Sequence, residues 1–444
     1  MNLVLKKYLG VEDLPEQAQN FISKYLKLYS LYYFIYLLAT SYIILDFIDA
    51  FDYAFAGILM AIIVGTQFVT DYPTGSLADY IGQRFVVILS LVCLGIGYII
   101  ISITDQKEFY YLATILFGIG LGQLSGAFES YLDTNYKNTV GNLDDDRKIY
   151  GFFYQRFVTL STIIIILAVV TGGVISTLIS REFLFRLEGV LMICIIPIIA
   201  LFLKDAKTEP IDDKQEQKHN YFYHLRSGLG FFISSKKAFF LILSRASLML
   251  MEGLWLNLIV SPFYLAYTGN DAGVGLYRSL LLFFTFFIQF FTAGYNKRID
   301  SSKIGRLHVF YYLLFFPGLI LLFYFVPVTN TFNPIGIIGG FIVALLSIGL
   351  VGSFTRTLYQ RIISVEVPSE KRNSVYSLMT SLYSAVEILI LPFLGTLIYT
   401  GGLLAGAEFL LILSLLTTPF VFLYQVFKDR AEFQETKNQL PVSS

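Results

Sequence analysis

The sequence predicts an all-α membrane protein: twelve transmembrane helices in two pseudo-symmetric six-helix bundles, with both termini cytoplasmic. Three observations carry this reading. Of 444 residues, 56% are hydrophobic and 14% charged, at a mean hydropathy of +0.66, which a soluble globular chain does not reach. Apolar runs of about 20 residues, enough to cross about 30 Å of hydrocarbon, recur along the whole length. Basic residues crowd the connections on one side only.

Taken in order, residues 1–26 form a polar cytoplasmic segment without the apolar core and cleavage site of a signal peptide, so the first helix is retained. Asp13-Leu14-Pro15 is a helix start, and Leu14, Phe21 and Leu26 suggest a short amphipathic helix on the membrane surface, with a disordered tail as the alternative. Spans are expected at 27–46, 54–72, 85–104, 110–133, 150–178, 184–203, 238–266, 273–295, 307–327, 335–360, 373–399 and 403–427. They group into bundles at 27–203 and 238–427, joined by a hydrophilic cytoplasmic linker at 204–237 and followed by a tail at 428–444. The linker reads as a solvated connection, and Tyr221–Phe232 within it as a candidate interfacial piece.

Lys+Arg and Asp+Glu number 32 each, so no net charge points to nucleic acid. With residue 1 inside, 25 basic residues lie in inner segments and three, Lys107, Arg181 and Arg186, in outer ones. That bias places both termini in the cytoplasm and makes the chain a multi-pass protein of the cell membrane. Cys93 and Cys194 sit within apolar runs, at no disulfide or metal spacing, and read as small buried residues.

An internal repeat runs across the linker. Gly294-Tyr295-Asn296-Lys297-Arg298 is a degenerate copy of the turn at Gly75, 219 residues on. Asp145-Asp146-Arg147-Lys148 is echoed by Glu370-Lys371-Arg372-Asn373 at an offset of 225, and Ala168–Gly173 by Leu391–Thr396 at 223. Offsets that agree this closely indicate duplicated six-helix halves.

The stretch Asp71–Arg84 is polar, glycine-punctuated and wedged between two apolar runs. It resembles the loop joining the second and third helices of major facilitator superfamily transporters, whose pattern is Gly-x-Leu-Ala-Asp-basic-x-Gly-basic-basic. Gly75, Leu77, Ala78, Asp79, Gly82 and Arg84 fall on it, while Tyr80 and Gln83 replace two basic residues. Val367–Leu378 and Leu124–Asp133 resemble the loop before the eleventh helix and the end of the fourth in bacterial and archaeal efflux-type members. The resemblance implies a cytoplasmic gate made of Gly75, Asp79, Gly82, Arg84 and Arg372, with Asp79 at the N-terminal turn of the eleventh span. Subfamily signatures are missing. Tyr111–Phe117 lacks the arginine of drug/proton antiporters, Ala168-Val169 replaces an antiporter Gly-Pro, and the sugar-porter and Glu-x-x-Glu-Arg peptide-transporter motifs are absent.

Charges inside the bilayer each cost about 2.5–3.5 kcal/mol on insertion scales and persist only with a reason. Glu252 and Glu387 lie midway along spans seven and eleven, where desolvation makes a carboxyl protonatable, and they are expected to form the proton-responsive site. The alternative is that one or both are neutral, hydrogen-bonded helix contacts, with Arg245, one to two turns below, as the neighbour of Glu252. Tyr32, Tyr36, Trp255 and Asn257 are the candidate substrate contacts, with lipid-facing belts as the alternative for the aromatic residues. Glu129, Asp133 and Arg156 form an expected charge cluster near the inner ends, which Arg356 joins, and Arg278 is expected to snorkel.

The function expected is secondary active transport of a small organic solute by alternating access, coupled to protons and leaning to efflux of drug-like or amphipathic compounds. Uptake of a metabolite and a transporter-like receptor or scaffold are the alternatives. An enzyme is not expected: His219, His224 and His308 lie in or beside loops, and no metal cluster, nucleophile motif or P-loop is present. No cofactor or metal is expected. The expected partners are the solute, protons and the lipid bilayer, with the chain a monomer.

Overall fold

The computed structural model describes residues 3–124, 127–144, 147–203, 229–295, 300–367 and 372–439; for 72–81, 289–295, 372–374 and 431–439, and for Ala127, Glu129, Ser130, Asn142, Lys148, Gln155, Ser301, Ser364 and Ser377, it describes the backbone alone. Every regular element among these residues is a helix. The first half of the chain contains α1 (Leu3–Leu9), α2 (Glu16–Leu37), α3 (Ile43–Ala50), α4 (Tyr53–Ile81), α5 (Gln83–Ile101), α6 (Lys107–Leu124), α7 (Ala127–Val140), α8 (Lys148–Leu178) and α9 (Arg181–Phe202). The second contains α10 (Lys236–Leu254), α11 (Val260–Thr268), α12 (Asp271–Tyr295), α13 (Ile304–Phe325), α14 (Pro334–Ala344), α15 (Gly352–Glu366), α16 (Arg372–Thr417) and α17 (Pro419–Gln439). Nine stretches among the described residues are long and apolar enough to cross a membrane.

Several helices depart from simple spans. Glu16–Leu37 is one helix, so the piece expected to lie on the membrane surface is continuous with the first span. It packs inward: Leu9, Val11 and Leu14 are buried, and the Phe152 ring lies over Gly10. π-helical turns at Trp255–Ile259 and Leu345–Val351 interrupt the seventh and tenth spans, and Gly402 breaks α16. The polar stretch after Asp71 is helix, not loop. α4 runs to Ile81, and the reversal into α5 is made by Gly82 alone at φ 94°, a conformation that a side chain would strain.

Backbone hydrogen bonds satisfied inside each helix make this the architecture hydrocarbon tolerates. Leu112, Leu167, Val190, Leu321, Leu389 and Phe393 are exposed, as a lipid-facing surface requires, and Cys194 is exposed with them, contrary to its expected burial. His308 is not beside a loop in any functional sense: it is fully buried in α13, its Nδ1 2.8 Å from the Tyr359 hydroxyl.

Two long packings join the halves, α4 against α16 and α8 against α12. At the first, a Cβ on Gly57 would stand 2.5 Å from the Leu391 carbonyl oxygen, so the crossing requires a residue without a side chain there. We call the end of the bundle that carries Phe51, Ser180, Gly269 and Gly402 the distal end, because the first and last described residues, Leu3 and Gln439, lie at the other.

Candidate functional site

The interruption of the seventh span concentrates polar groups. A π-helical turn widens the ring, frees carbonyls and re-aims side chains, which is why such turns recur at functional sites. Asn257 lies within it, and its Nδ2 donates to Glu387 Oε1 from α16 at 2.8 Å. Gly253, one turn before Asn257 on the same face, leaves room for this: a Cβ there would stand 2.7 Å from the same oxygen. Glu387 is 2% exposed. No basic side chain among the described residues pairs with it.

Glu252, on the neighbouring face of that turn, is in a different environment. Arg356 Nη1 donates to its Oε1 at 2.9 Å, and Arg356 Nη2 donates to the Ile348 carbonyl in the second π-helical turn at 3.1 Å. This corrects one expectation and one alternative. Arg356 joins Glu252 and not the charge cluster at the inner ends, and Arg245 is not the partner of Glu252. Its guanidinium lies over the Tyr359 ring at 5.9 Å, with Nη1 buried and unbonded. Trp255 also turns away, since it packs in the helix core against Phe315 at 4.8 Å and Phe263 at 5.6 Å.

In the first half, the tyrosines of α2 make a stack along one face. The Tyr32 and Tyr36 rings lie 6.0 Å apart and nearly parallel, and Tyr32 stacks on Phe128 of α7 at 4.6 Å. Tyr32 is 2% exposed, and its hydroxyl has no hydrogen-bond partner. Sequence reading missed Glu188, which α9 projects to full burial beside this stack. A glutamate within an apolar run was the available signal.

Asp133 and Arg156, expected to cluster at the inner ends, have other partners. Asp133 pairs with Arg147 at 2.5 Å, while the Arg156 guanidinium covers the Tyr8 ring at 5.0 Å and the Phe152 ring at 5.2 Å. The side chains of Glu129, and of Asp79 and Arg372 in the expected gate, lie outside the described residues, and Gly75 is described as helical backbone alone. Of the gate, Gly82 makes the reversal and Arg84 starts α5.

The distal end is closed by bonds across the halves. Arg181 Nε donates to Asp271 Oδ2 at 2.6 Å, Ser176 donates to the same carboxylate, and Arg181 also pairs with Asp49. The Ala272 N–H donates to Thr177 Oγ1 at 2.7 Å, and Ser279 Oγ donates to the Ile166 carbonyl at 3.1 Å. Arg278 does not snorkel: its Nη1 donates to Ser261 Oγ at 2.7 Å, and that hydroxyl donates to the Ser41 carbonyl at 2.8 Å. A cavity of about 730 Å³ opens beside this network, lined by Asp46, Asp49, Asp105, Glu182, Asp271 and Arg181. Among the described residues no group of His, Cys, Asp and Glu is arranged to hold a metal ion.

Solved structures share this architecture. The chain is similar to the nucleoside transporter NupG at 15% identity, covering 92% of this chain and 99% of that one, with a TM-score of 0.67. It is likewise similar to a POT family transporter in complex with 5-aminolevulinic acid, at 14% identity, 92% and 96% coverage and a TM-score of 0.66. No curated protein matches the sequence. The family model described as Major Facilitator Superfamily matches residues 28–392, and the chain belongs to that superfamily of membrane transporters.

Proposed function

We propose that this chain is a proton-coupled secondary transporter that moves a small organic solute by alternating access between six-helix bundles at residues 27–203 and 238–427. The observation that carries the coupling is Glu387. Its carboxyl is buried, bonded to the neutral Asn257, without a cation, and borne by the helix that packs along α4 of the other half. A carboxylate in such a place is stable as the neutral acid and demands water or a cation once ionised. Loss of its proton therefore favours an arrangement in which the halves part and water enters. Glu252 already has its cation in Arg356, and its role is to orient that turn of α10.

Twelve spans with both termini cytoplasmic fit the helix order and the bias of basic residues to one side. The efflux-type stretches and the tyrosine stack on α2 support export of amphipathic solutes. The test uses inside-out vesicles, whose acidic lumen is expected to drive accumulation of amphipathic solutes by the wild type. In E387Q that gradient-driven accumulation is expected to vanish while solute exchange persists. Equal accumulation in the mutant would refute the role of Glu387. Accumulation only in right-side-out vesicles with an acidic exterior would assign uptake instead.

A further inference from the structure

The first span is not a continuous helix. α2 stops at Leu37 and α3 begins at Ile43, so residues 38–42 leave backbone groups outside any helical ladder. One is claimed by another helix: the Ala39 N–H donates to Glu188 Oε2 of α9. The carboxyl reaches that break because α9 and α5 touch beside it. A Cβ on Gly189 would stand 2.7 Å from the Gly95 carbonyl oxygen, and one on Gly95 3.0 Å from that of Gly189.

What surrounds Glu188 is neutral. It is fully buried, and its second oxygen, Oε1, has no hydrogen-bond partner. Tyr98 of α5, whose hydroxyl also lies 3.4 Å from Thr40 Oγ1, stands beside the carboxyl, and Tyr32 and Tyr36 of α2 lie near it. On α9 itself, Arg186 is turned to the Ser102 carbonyl at 3.1 Å. α8 also packs on α9, but its Tyr154 and Arg156 lie in its first turns, at the opposite end. An ionised carboxylate held by one backbone N–H and no cation is far costlier than a neutral acid, whose single proton needs one acceptor. The hydroxyl of Tyr98 is the acceptor beside it.

Of the residues after Ala39, Ser41 reaches the other half of the chain, while Thr40 and Tyr42 bond within the first half. Thr40 Oγ1 donates to the Tyr36 carbonyl at 2.6 Å, Ser41 accepts from Ser261 across the halves, and the Tyr42 hydroxyl donates to the Val169 carbonyl at 2.7 Å. We propose that Glu188 is a second proton-binding site, in the first half of the chain, whose proton holds the break in the first span against the second half. Parting of the distal end separates Ser41 from Ser261 and admits water to the break, where the ionised carboxylate is hydrated and the proton leaves. This coupling rests on the alternating-access reading; the proton site itself does not.

Infrared spectroscopy of the full chain in lipid, titrated over pH, reads a protonated carboxyl directly and needs no solute. The wild type is expected to show a carboxylic-acid carbonyl band that E188Q removes, distinct from the band removed by E387Q. E188Q keeps an oxygen for the Ala39 N–H, so it is expected to fold, as its Tm would show. Ser279→Cys, 3% exposed at the interface of the halves, supplies the second readout in a background with Cys93 and Cys194 replaced by serine. Relative to a free thiol at the same pH, its labelling is expected to rise with pH, and to rise less in E188Q, where Glu387 alone remains to respond. An unaltered carbonyl band in E188Q, or an unaltered labelling profile, overturns the proposal. If E188Q does not fold, Tyr98→Phe, which removes a hydroxyl facing the carboxyl, is expected to shift the Glu188 band, and an unshifted band overturns it equally. A protein that shows the E188Q-sensitive band yet moves no solute would support this site and refute the transport reading.

Discussion

Arg356 shows how one side chain can decide the state of two helices. Its guanidinium spans from the Glu252 carboxylate on α10 to a carbonyl in the π-helical turn ahead of its own helix, so removing it strands a partly buried charge and a carbonyl at once. The pair is partly open, with side chains 28% and 19% exposed, so R356M is expected to cost at most about 3 kcal/mol, the lower end of the range for breaking a buried pair. The double substitution of R356M with E252L is expected to recover most of that, because it leaves no charge behind. Thermal unfolding of the single and double variants checks this; equal losses in both would show that the pair itself stabilises. At this scale the sequence was legible only in part. Glu387 and Asn257, 130 positions apart, were both candidates because polar groups inside a span need a reason. The partner of Glu252 was not readable, because Arg245 lies about two turns away on the same helix, and only the packing of the tenth span against α10 brings Arg356 to it. The π-helical turn re-aims the side chains after Glu252, and Trp255 faces the core for that reason.

The elements themselves followed from run length and hydropathy, because about 20 apolar residues in hydrocarbon have no other way to satisfy their backbone. Their interruptions did not. Residues 38–42, the turns at 255–259 and 345–351 and the helix through Ile81 depend on which neighbour claims a freed N–H or carbonyl, and propensity is silent about that. Glycines were the readable exception, since Gly82 stands where the chain reverses within one residue. The α4–α16 crossing is where an element carries the whole arrangement, because Gly57 there lies against the Leu391 backbone. G57V is expected to cost about 1–3 kcal/mol by overpacking and to populate a form parted at the distal end. Thermal unfolding together with the thiol reactivity of Ser279→Cys measures both; wild-type values in both would mean that the crossing is looser than the geometry implies.

At the scale of the molecule, membership of the superfamily and the pairings of α4 with α16 and α8 with α12 describe two sets of helices meeting along their length. Repeats at similar offsets were visible in the sequence, but which residues close one end was not. Arg181 and Asp271 stood in the sequence as loop charges and become cross-half partners only when the helices are assembled. Their network closes the distal end in this arrangement, and a transporter must open it. The central claim is therefore tested most directly by distances between spin labels at Leu178 and Leu276, exposed residues beside the Thr177–Ala272 contact, in a background with both native cysteines replaced by serine. In lipid, two distance populations are expected, a short one matching the closed network and a longer one, with their ratio shifted by pH and by a transported solute. A single distance that neither pH nor any solute moves would contradict alternating access and leave a scaffold or receptor as the better account.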